Sequence, residues 1–550
     1  MTYKIENLSE LNLKKIKEAF EVIPTTEISL DISNNNLGEI EAHNLKDLFK
    51  ILSTQLVSYD LSQNNLERCA NLADVFIVLS RLATTLILKK NKLGSVNIDE
   101  LIKLNKALPD DLNYLELADN ELGSQKTETE LALFFSSLPP NLMTLGLGLN
   151  KLGNLKGAGL ARILKLLKVQ NLDLCFNLWN LSGEELAEVL AALPPSVKNL
   201  SLKNNELGFK TVEELVKAFK SIPSTVKILD LSYNHGFCKK TALELAQIFM
   251  AIPATVETLD LSCLSLGVFS GEDLEIIFLA LSNKNLKTLD LSHNRLEQVF
   301  LFDLAIPFAV ISPSVETLIL RYNDLHYKTP NELKRIFSCV PLSIKTYDLR
   351  GNKFNQEQLN AIFDMTIKWG VETIILDDKF IEGTKWFLKR LIDKVYRAIY
   401  FNSGNGLLAF DEIKFSVNID DYRLIRWIEK LEQQNNPLAD LTCGLLLANQ
   451  IKTQPALSEN CQFFDDYWEK RTHDAINFYL KAAREPSLKA VVKVLIIEFK
   501  TTCLFESVLK RMESFDSGFK SNKESLVNLG LFKTLDNSRN STNQSTQLSP

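Results

Sequence analysis

Eight carboxylates recur in the chain, each set between two apolar residues: Asp31, Asp60, Glu116, Asp173, Asp230, Asp260, Asp290 and Asp348. Brought into one column, they would draw a basic partner, because like charges summed over a surface steer association. Copying of a repeated unit explains the same column without any ligand. A second set, Thr258, Thr288, Thr317, Thr346 and Thr373, falls in the column beside the acidic one and suits a strand. Departures from the repeat are more informative. Phe176, Trp179, Tyr233, His235, Arg321, Tyr322 and Arg350 replace the small or polar residues of the other copies. Aromatics and arginine dominate interface hot spots, so these seven are the candidate partner-binding residues. Filling space inside the turn is the competing use of Trp179 and Phe176. Alanine at Tyr233, Tyr322 or Arg350 is expected to weaken partner binding and leave thermal stability nearly unchanged.

Signals of catalysis are poor. The chain has no Walker or Rossmann glycine pattern, no H-E-x-x-H and no G-x-S-x-G. Its five histidines (His43, His235, His293, His326 and His473) are dispersed. Eight cysteines, at 69, 175, 238, 263, 339, 443, 461 and 503, form no C-x-x-C and no metal-ligand spacing with histidine. Neighbouring strands would bring Cys263 near His293, which is the one nucleophile–base adjacency to check. No cofactor, no metal site and no enzyme activity are expected.

Composition agrees with a folded binding protein. The 550 residues are 45% apolar and 24% charged, with net charge −6 and pI about 5.7, so a nucleic-acid partner is not expected. The first residues lack the basic and apolar segments of a secretory signal. The longest apolar stretch, around Val491–Phe499, is interrupted by Lys493 and Glu498, well short of the roughly 20 residues that span a bilayer. Unpaired thiols and these absences place the expected site of action in a cytoplasm.

The elements that position the candidates come from an internal repeat. Its unit reads L-x-L-x-x-N-x-L, usually followed by Gly, as in LDISNNNLG from Leu30 and LSLKNNELG from Leu200. The motif asparagines are Asn35, Asn64, Asn91, Asn120, Asn150, Asn177, Asn205, Asn234, Asn294, Asn323 and Asn352. Between Asn234 and Asn294 one further copy carries Leu264 in place of Asn, and a degenerate copy begins at Ile374. Leu-x-Leu predicts a short strand with leucines inward. A buried Asn amide can satisfy backbone groups where the strand turns out, so stacked copies predict an asparagine ladder. The following Gly is expected to supply a positive φ.

A helix of about three turns fills each interval. In Ser182–Leu193, Leu186, Val189, Leu190 and Leu193 share one face. Capping boxes mark starts at Ser182/Glu185, Thr211/Glu214, Thr241/Glu244 and Thr329/Glu332, and Pro330 suits a first helical position. Prolines at 194, 195, 223 and 253 mark stops. Helices are wider than strands, so the stack is expected to curve into a horseshoe with parallel strands on its concave face.

A unit of this length with a full helix resembles the ribonuclease-inhibitor-type leucine-rich repeat, over about Ile23 to Asp377. That resemblance implies an α/β right-handed solenoid of about thirteen repeats at 27–377, opened by a half-repeat cap at 1–26 whose helix spans Asn12 to Pro24. The repeat dialect, Leu-Pro-x-x-Val-x-x-Leu-x-Leu-Ser-x-Asn, is also similar to leucine-rich-repeat effectors that intracellular bacteria inject by Dot/Icm-type (type IV) secretion. This second resemblance implies a virulence role: a scaffold binding a host protein through its concave face, delivered into a host cytoplasm without a signal peptide. The alternative it implies is an enzyme or ubiquitin-ligase-recruiting adaptor seated in the C-terminal region. No cysteine here carries the Cys-x-Asp of bacterial repeat-containing ubiquitin ligases.

Residues 378–514 read as a mainly α-helical domain. Fragments at 439–446 and 474–483 look like pieces of Sel1 or tetratricopeptide repeats. Residues 515–550 form a polar tail, mostly Ser, Thr, Asn and Gln from Asp536. Such a composition cannot bury enough apolar surface to order itself, and an exposed secretion signal is its functional reading.

Overall fold

The structure is a computed structural model. It describes residues 2–382, apart from 9–11, 25–27, 53–55, 80, 283, 300–303, 367–370, 372 and 378–379. The chain divides into two units, 1–380 and 381–550, and the described residues lie in the first, save 381 and 382. The expected helical domain at 378–514, its repeat-like fragments and the polar tail at 515–550 lie outside the described residues, save at their first few positions.

The first unit is a leucine-rich-repeat solenoid. Its strands are three residues each, because the chain leaves the sheet as soon as two alternate side chains have been buried. They are β1 (Thr2–Lys4), β2 (Ser29–Asp31), β3 (Ser58–Asp60), β4 (Thr85–Ile87) and β5 (Tyr114–Glu116). Then come β6 (Thr144–Gly146), β7 (Asn171–Asp173), β8 (Asn199–Ser201), β9 (Ile228–Asp230) and β10 (Thr258–Asp260). The next four are β11 (Thr288–Asp290), β12 (Thr317–Ile319), β13 (Thr346–Asp348) and β14 (Thr373–Ile375), before a short fifteenth strand at Phe380–Glu382. From β1 to β14 they stand in sequence order in one sheet. Pairing is parallel and in register, middle residue on middle residue, as Leu229 on Leu259 and Leu259 on Leu289. A helix connects most neighbours, as a parallel crossover requires.

One interior runs through the stack. Each coil sends in its strand leucines, the leucine after the motif asparagine and the apolar face of its helix. Leu186, Val189 and Leu190 of helix Gly183–Ala191 are fully buried, and Phe219, Phe249, Phe278, Phe308 and Phe337 recur at one helix position. The four expected capping boxes are present, with one more at Thr127/Glu130, and Pro330 starts its helix.

The asparagines join the coils. Asn64 Oδ1 accepts the backbone N–H of Asn35 at 2.8 Å and of Leu37 at 3.3 Å. Its Nδ2 donates to the carbonyls of Ile32 and Leu61 at 2.9 and 3.0 Å. The pattern repeats through Asn91, Asn120, Asn150, Asn177, Asn205 and Asn234, each serving the coil before it. Leu264, buried where the next amide would stand, interrupts it. The ladder resumes when Asn294 accepts the Leu264 N–H at 3.0 Å and continues through Asn323 to Asn352.

Two expectations change. The N-terminal cap is more than a half-repeat: β1 pairs with β2, and the N–H of buried Leu8 donates to Asn35 Oδ1 at 2.8 Å, so residues 2–8 form a coil of their own. The motif glycines do not provide positive φ. That conformation falls on the residue before each asparagine and, at most coils, on the one after it, such as Asn34 and Asn36, or His293 and Arg295. Gly38, Gly94, Gly123, Gly208 and Gly267 are small because the next coil's backbone lies against them; a Cβ at Gly38 would overlap the carbonyl of Asn65. Two coils with Glu at this place show the cost. The N–H of Glu67 and of Glu297 reaches the neighbouring asparagine carbonyl at 3.3 Å, against 2.8 Å for Gly94 and Gly267.

Candidate interaction face

Register turns the strand residues into columns. The acidic column runs Asp31, Asp60, Ile87, Glu116, Gly146, Asp173, Ser201, Asp230, Asp260, Asp290, Ile319, Asp348. The threonine column Thr258, Thr288, Thr317, Thr346, Thr373 is likewise in register.

Every one of the eight carboxylates accepts the backbone N–H two residues on: Ser33, Ser62, Ala118, Cys175, Ser232, Ser262, Ser292 and Arg350. The acid thus ties down an N–H at the strand exit, which explains why it is copied from coil to coil. Stacking has an electrostatic cost. Burial, then the neighbouring Asp290 and Asp230, push the Asp260 carboxyl up to about 6. Burial also raises Asp173, Asp290 and Glu116.

A folded-state pKa above the unfolded value means the folded chain binds the extra proton. The stability Asp260 contributes therefore falls as pH rises from about 4 through about 6. Asp260→Asn keeps the acceptor for Ser262 and removes the charge. It is expected to stabilise the chain at pH 7 by at most about 3 kcal/mol, and the gain should disappear near pH 4. Denaturant unfolding of both proteins at the two pH values checks this; an Asn variant less stable at pH 7 would contradict it.

Beyond the acids lies a crest, formed by the residue before each motif asparagine. It runs Asn34, Gln63, Lys90, Asp119, Leu149, Phe176, Asn204, Tyr233, Cys263, His293, Tyr322, Gly351, all with positive φ. Bulky residues in that conformation are uncommon. Here the backbone is held by hydrogen bonds between coils, as from Tyr233 N–H to Ser262 O and from Tyr322 N–H to Arg350 O. Three of the seven candidates, Phe176, Tyr233 and Tyr322, share this crest. Tyr322 is 51% exposed and stacks on His293 with ring centroids 4.5 Å apart. Gly351 makes room for it, since a Cβ there would overlap the Tyr322 ring. Lys203 Nζ sits 4.5 Å from the Tyr233 ring centroid, and Tyr233 shares a hydrogen bond with Cys263.

Arg321 and Arg350 lie in the column between acids and crest, and both grip Asp348. Arg321 donates from Nε and Nη2 at 2.8 and 2.5 Å, Arg350 at 3.0 and 2.7 Å. Arg350 is therefore not a stability-neutral position, because its removal withdraws half the compensation of a buried carboxylate. Trp179 and His235 stand apart, beyond the asparagine and off the crest. Trp179 is 46% exposed while Leu178 is fully buried, so the leucine and not the tryptophan fills the interior. Leu149 and His293 join the face although their residue types do not mark them; their place directly before the asparagine is the signal.

Cys263 and His293 do not form a nucleophile–base pair. The thiol is engaged with Tyr233 and raised by burial, whereas a reactive cysteine needs a lowered pKa. The imidazole is stacked on Tyr322. Among the described residues no group of His, Cys, Asp and Glu is arranged to hold a metal ion, and no helix is long and apolar enough to cross a membrane.

No family model matches the chain, and no curated protein matches it. Solved structures do. The chain is similar to the leucine-rich repeat-containing protein LegL7 from Legionella pneumophila, with 26% identity, 66% of this chain and 98% of that one covered, and a TM-score of 0.45. It is also similar to a chain in the complex of Rad7 and Elc1 in yeast, with 15% identity, 66% and 92% covered, and a TM-score of 0.37.

Proposed function

We propose that the chain is a protein-binding scaffold whose strand face, from β7 to β13, receives a partner protein. The supporting observation is the aromatic crest: Phe176, Tyr233, His293 and Tyr322 stand on one line, held by bonds between coils. Rigid aromatic side chains lose little entropy on binding, so a pre-ordered row of them favours association. The acidic column beside them adds charge selectivity.

The finer reading takes the partner to be a host-cell protein met in the host cytoplasm after type IV secretion. Its support is the resemblance of the repeat dialect to such effectors. Deleting residues 526–550 and assaying delivery tests the secretion half; unchanged delivery removes it.

Binding itself is tested with the full chain. A partner captured from host lysate is identified, purified and titrated against Tyr233→Ala and Tyr322→Ala. Each change is expected to weaken binding by about tenfold or more, the scale of a hot-spot residue. Thermal midpoints should stay close to the parent's, since both side chains are substantially exposed. A partner indifferent to both substitutions excludes this face.

A further inference from the structure

We infer that the segment received by the crest is an uncharged polyproline II stretch of the partner, with proline at every third position, laid across the coils from Phe176 to His293. The inference rests on the strand-face reading above and names the chemistry of the occupant. Over these five coils ring-bearing and small residues alternate along the crest: Phe176, Asn204, Tyr233, Cys263, His293. Two hollows result, one floored by Asn204 between the rings of Phe176 and Tyr233, the other floored by Cys263 between Tyr233 and His293. None of the five is a lysine, an arginine or a carboxylate, so the hollows suit an uncharged ring.

The second hollow has both walls turned inward. His293 and Tyr322 come from adjacent coils and stack at 4.5 Å with 14° between their planes, so the other face of the imidazole looks back along the stack, over Cys263. Lys203 Nζ lies 4.5 Å from the Tyr233 centroid and comes from the coil before it, so the opposite face of that ring looks forward, also over Cys263. The hydrogen bond shared by Tyr233 and Cys263 fixes this wall to the floor. In the first hollow Lys203 lies against the Tyr233 face and must swing aside, while Asn204 offers a side-chain amide. Polyproline II has no internal hydrogen bonds, so its carbonyls are free to accept from such a donor.

The repeat distance selects this conformation. Adjacent strands are about 4.8 Å apart, so like hollows recur every ~9.6 Å. A polyproline II helix returns to the same face after three residues, or about 9.3 Å. An extended strand returns after about 6.8 Å. An α-helix offers the same face after seven residues, or about 10.5 Å, and would run about 2 Å out of step between Phe176 and His293. Pre-formed polyproline II also gives up little entropy on docking against aromatic rings.

That period defines the probes. Terminally blocked, labelled Pro-Ser-Ala-Pro-Ser-Ala-Pro carries it, while Pro-Ser-Pro-Ala-Pro-Ser-Ala has the same composition with proline at every second position. Fluorescence anisotropy against the full chain should show the first peptide binding about tenfold more tightly, the scale of one well-seated anchor. Tyr233→Ala should remove the preference and Tyr233→Phe should keep it, because the ring walls both hollows. Lys203→Ala should bind the first peptide at least as tightly as the parent does, since the obstruction is gone. All three variants should melt close to the parent. Equal behaviour of the two peptides, undetectable binding of both included, overturns the inference. A weaker Lys203→Ala also overturns it, by making the cation the attraction. So does tighter binding of a helical peptide with leucine at every seventh position, or self-association of the chain, if Tyr233→Ala abolishes it. If the tyrosine variants still weaken the captured partner, strand-face binding survives and only the proline assignment falls; if they do not, both fall.

Discussion

Asn150→Ala is expected to lower the stability of the central coils by at least about 4 kcal/mol. The magnitude follows from the number of groups one amide serves. Asn150 Oδ1 accepts the N–H of Asn120 at 3.0 Å and of Leu122 at 3.3 Å. Its Nδ2 donates to the carbonyls of Leu117 and Leu147 at 2.8 and 2.9 Å. Each bond is worth about 1 kcal/mol net, and a buried partner left unpaired costs about 1–3 kcal/mol. Alanine removes these bonds, together with a longer one from Nδ2 to the Gly148 carbonyl at 3.3 Å, and the site is fully buried, so relief by solvent requires the coils to part.

Because each repeat touches only its neighbours, the damage should be local. Hydrogen exchange should accelerate across β5–β7 and their helices, with β11–β13 little changed. A uniform loss of protection would show that the stack unfolds as one unit. Protection unchanged at β5–β7 would show that water or a shifted backbone replaces the amide. Leu264 supplies the internal contrast, since it fills the same place without an amide. Backbone bonds such as Tyr233 N–H to Ser262 O still join the coil before it, but no side-chain amide does, so Leu264→Ala should act through a cavity and not through lost hydrogen bonds.

The coil register is legible in the spacing of leucines and asparagines, since an inward side chain must recur once per coil and nothing else imposes that period. The first strand is not legible that way. Thr2–Lys4 has neither Leu-x-Leu nor an asparagine, and its membership follows only from pairing with Ser29–Asp31. The role of the motif glycines is ambiguous in sequence for another reason. A sequence does not distinguish a residue without a Cβ for the sake of φ from one kept bare by a neighbouring backbone, and here it is the neighbour.

Candidate residues chosen by type alone mix two surfaces. Tyr233 and Tyr322 lie on the crest, but Trp179 and His235 lie past the asparagine. Position relative to the asparagine separates them and adds Leu149 and His293. What no single repeat could reveal is the sharing of Asp348 by Arg321 and Arg350, because it needs one arginine from the coil before the acid and one from the same coil.

That shared carboxylate yields the second large effect. The double variant Arg321→Ala, Arg350→Ala is expected to destabilise the chain by about 2 kcal/mol at pH 7, less than the roughly 3–5 kcal/mol seen when a buried pair loses one member. The reduction has a structural reason. Asp348 is 2% exposed, yet the groups covering it are the half-exposed guanidiniums themselves, so removing both admits water to the acid they leave behind. Burial opposes the charge on Asp348, but the hydrogen bonds from Arg350 and Arg321 outweigh it and hold the carboxyl below its usual value. A lowered folded-state pKa gives stability that is present above the unfolded value near 4 and lost as pH falls through the folded one. The gap between parent and double variant should therefore be full at pH 7 and close below about pH 4, as the acid is protonated in the variant and then in the parent. This is opposite in sense to Asp260→Asn, whose benefit also fades toward low pH but as a gain. Urea unfolding of the parent and both variants across that range separates the two behaviours. A double variant as stable as the parent at pH 7 would mean that the arginines are held for a partner and contribute nothing to the fold.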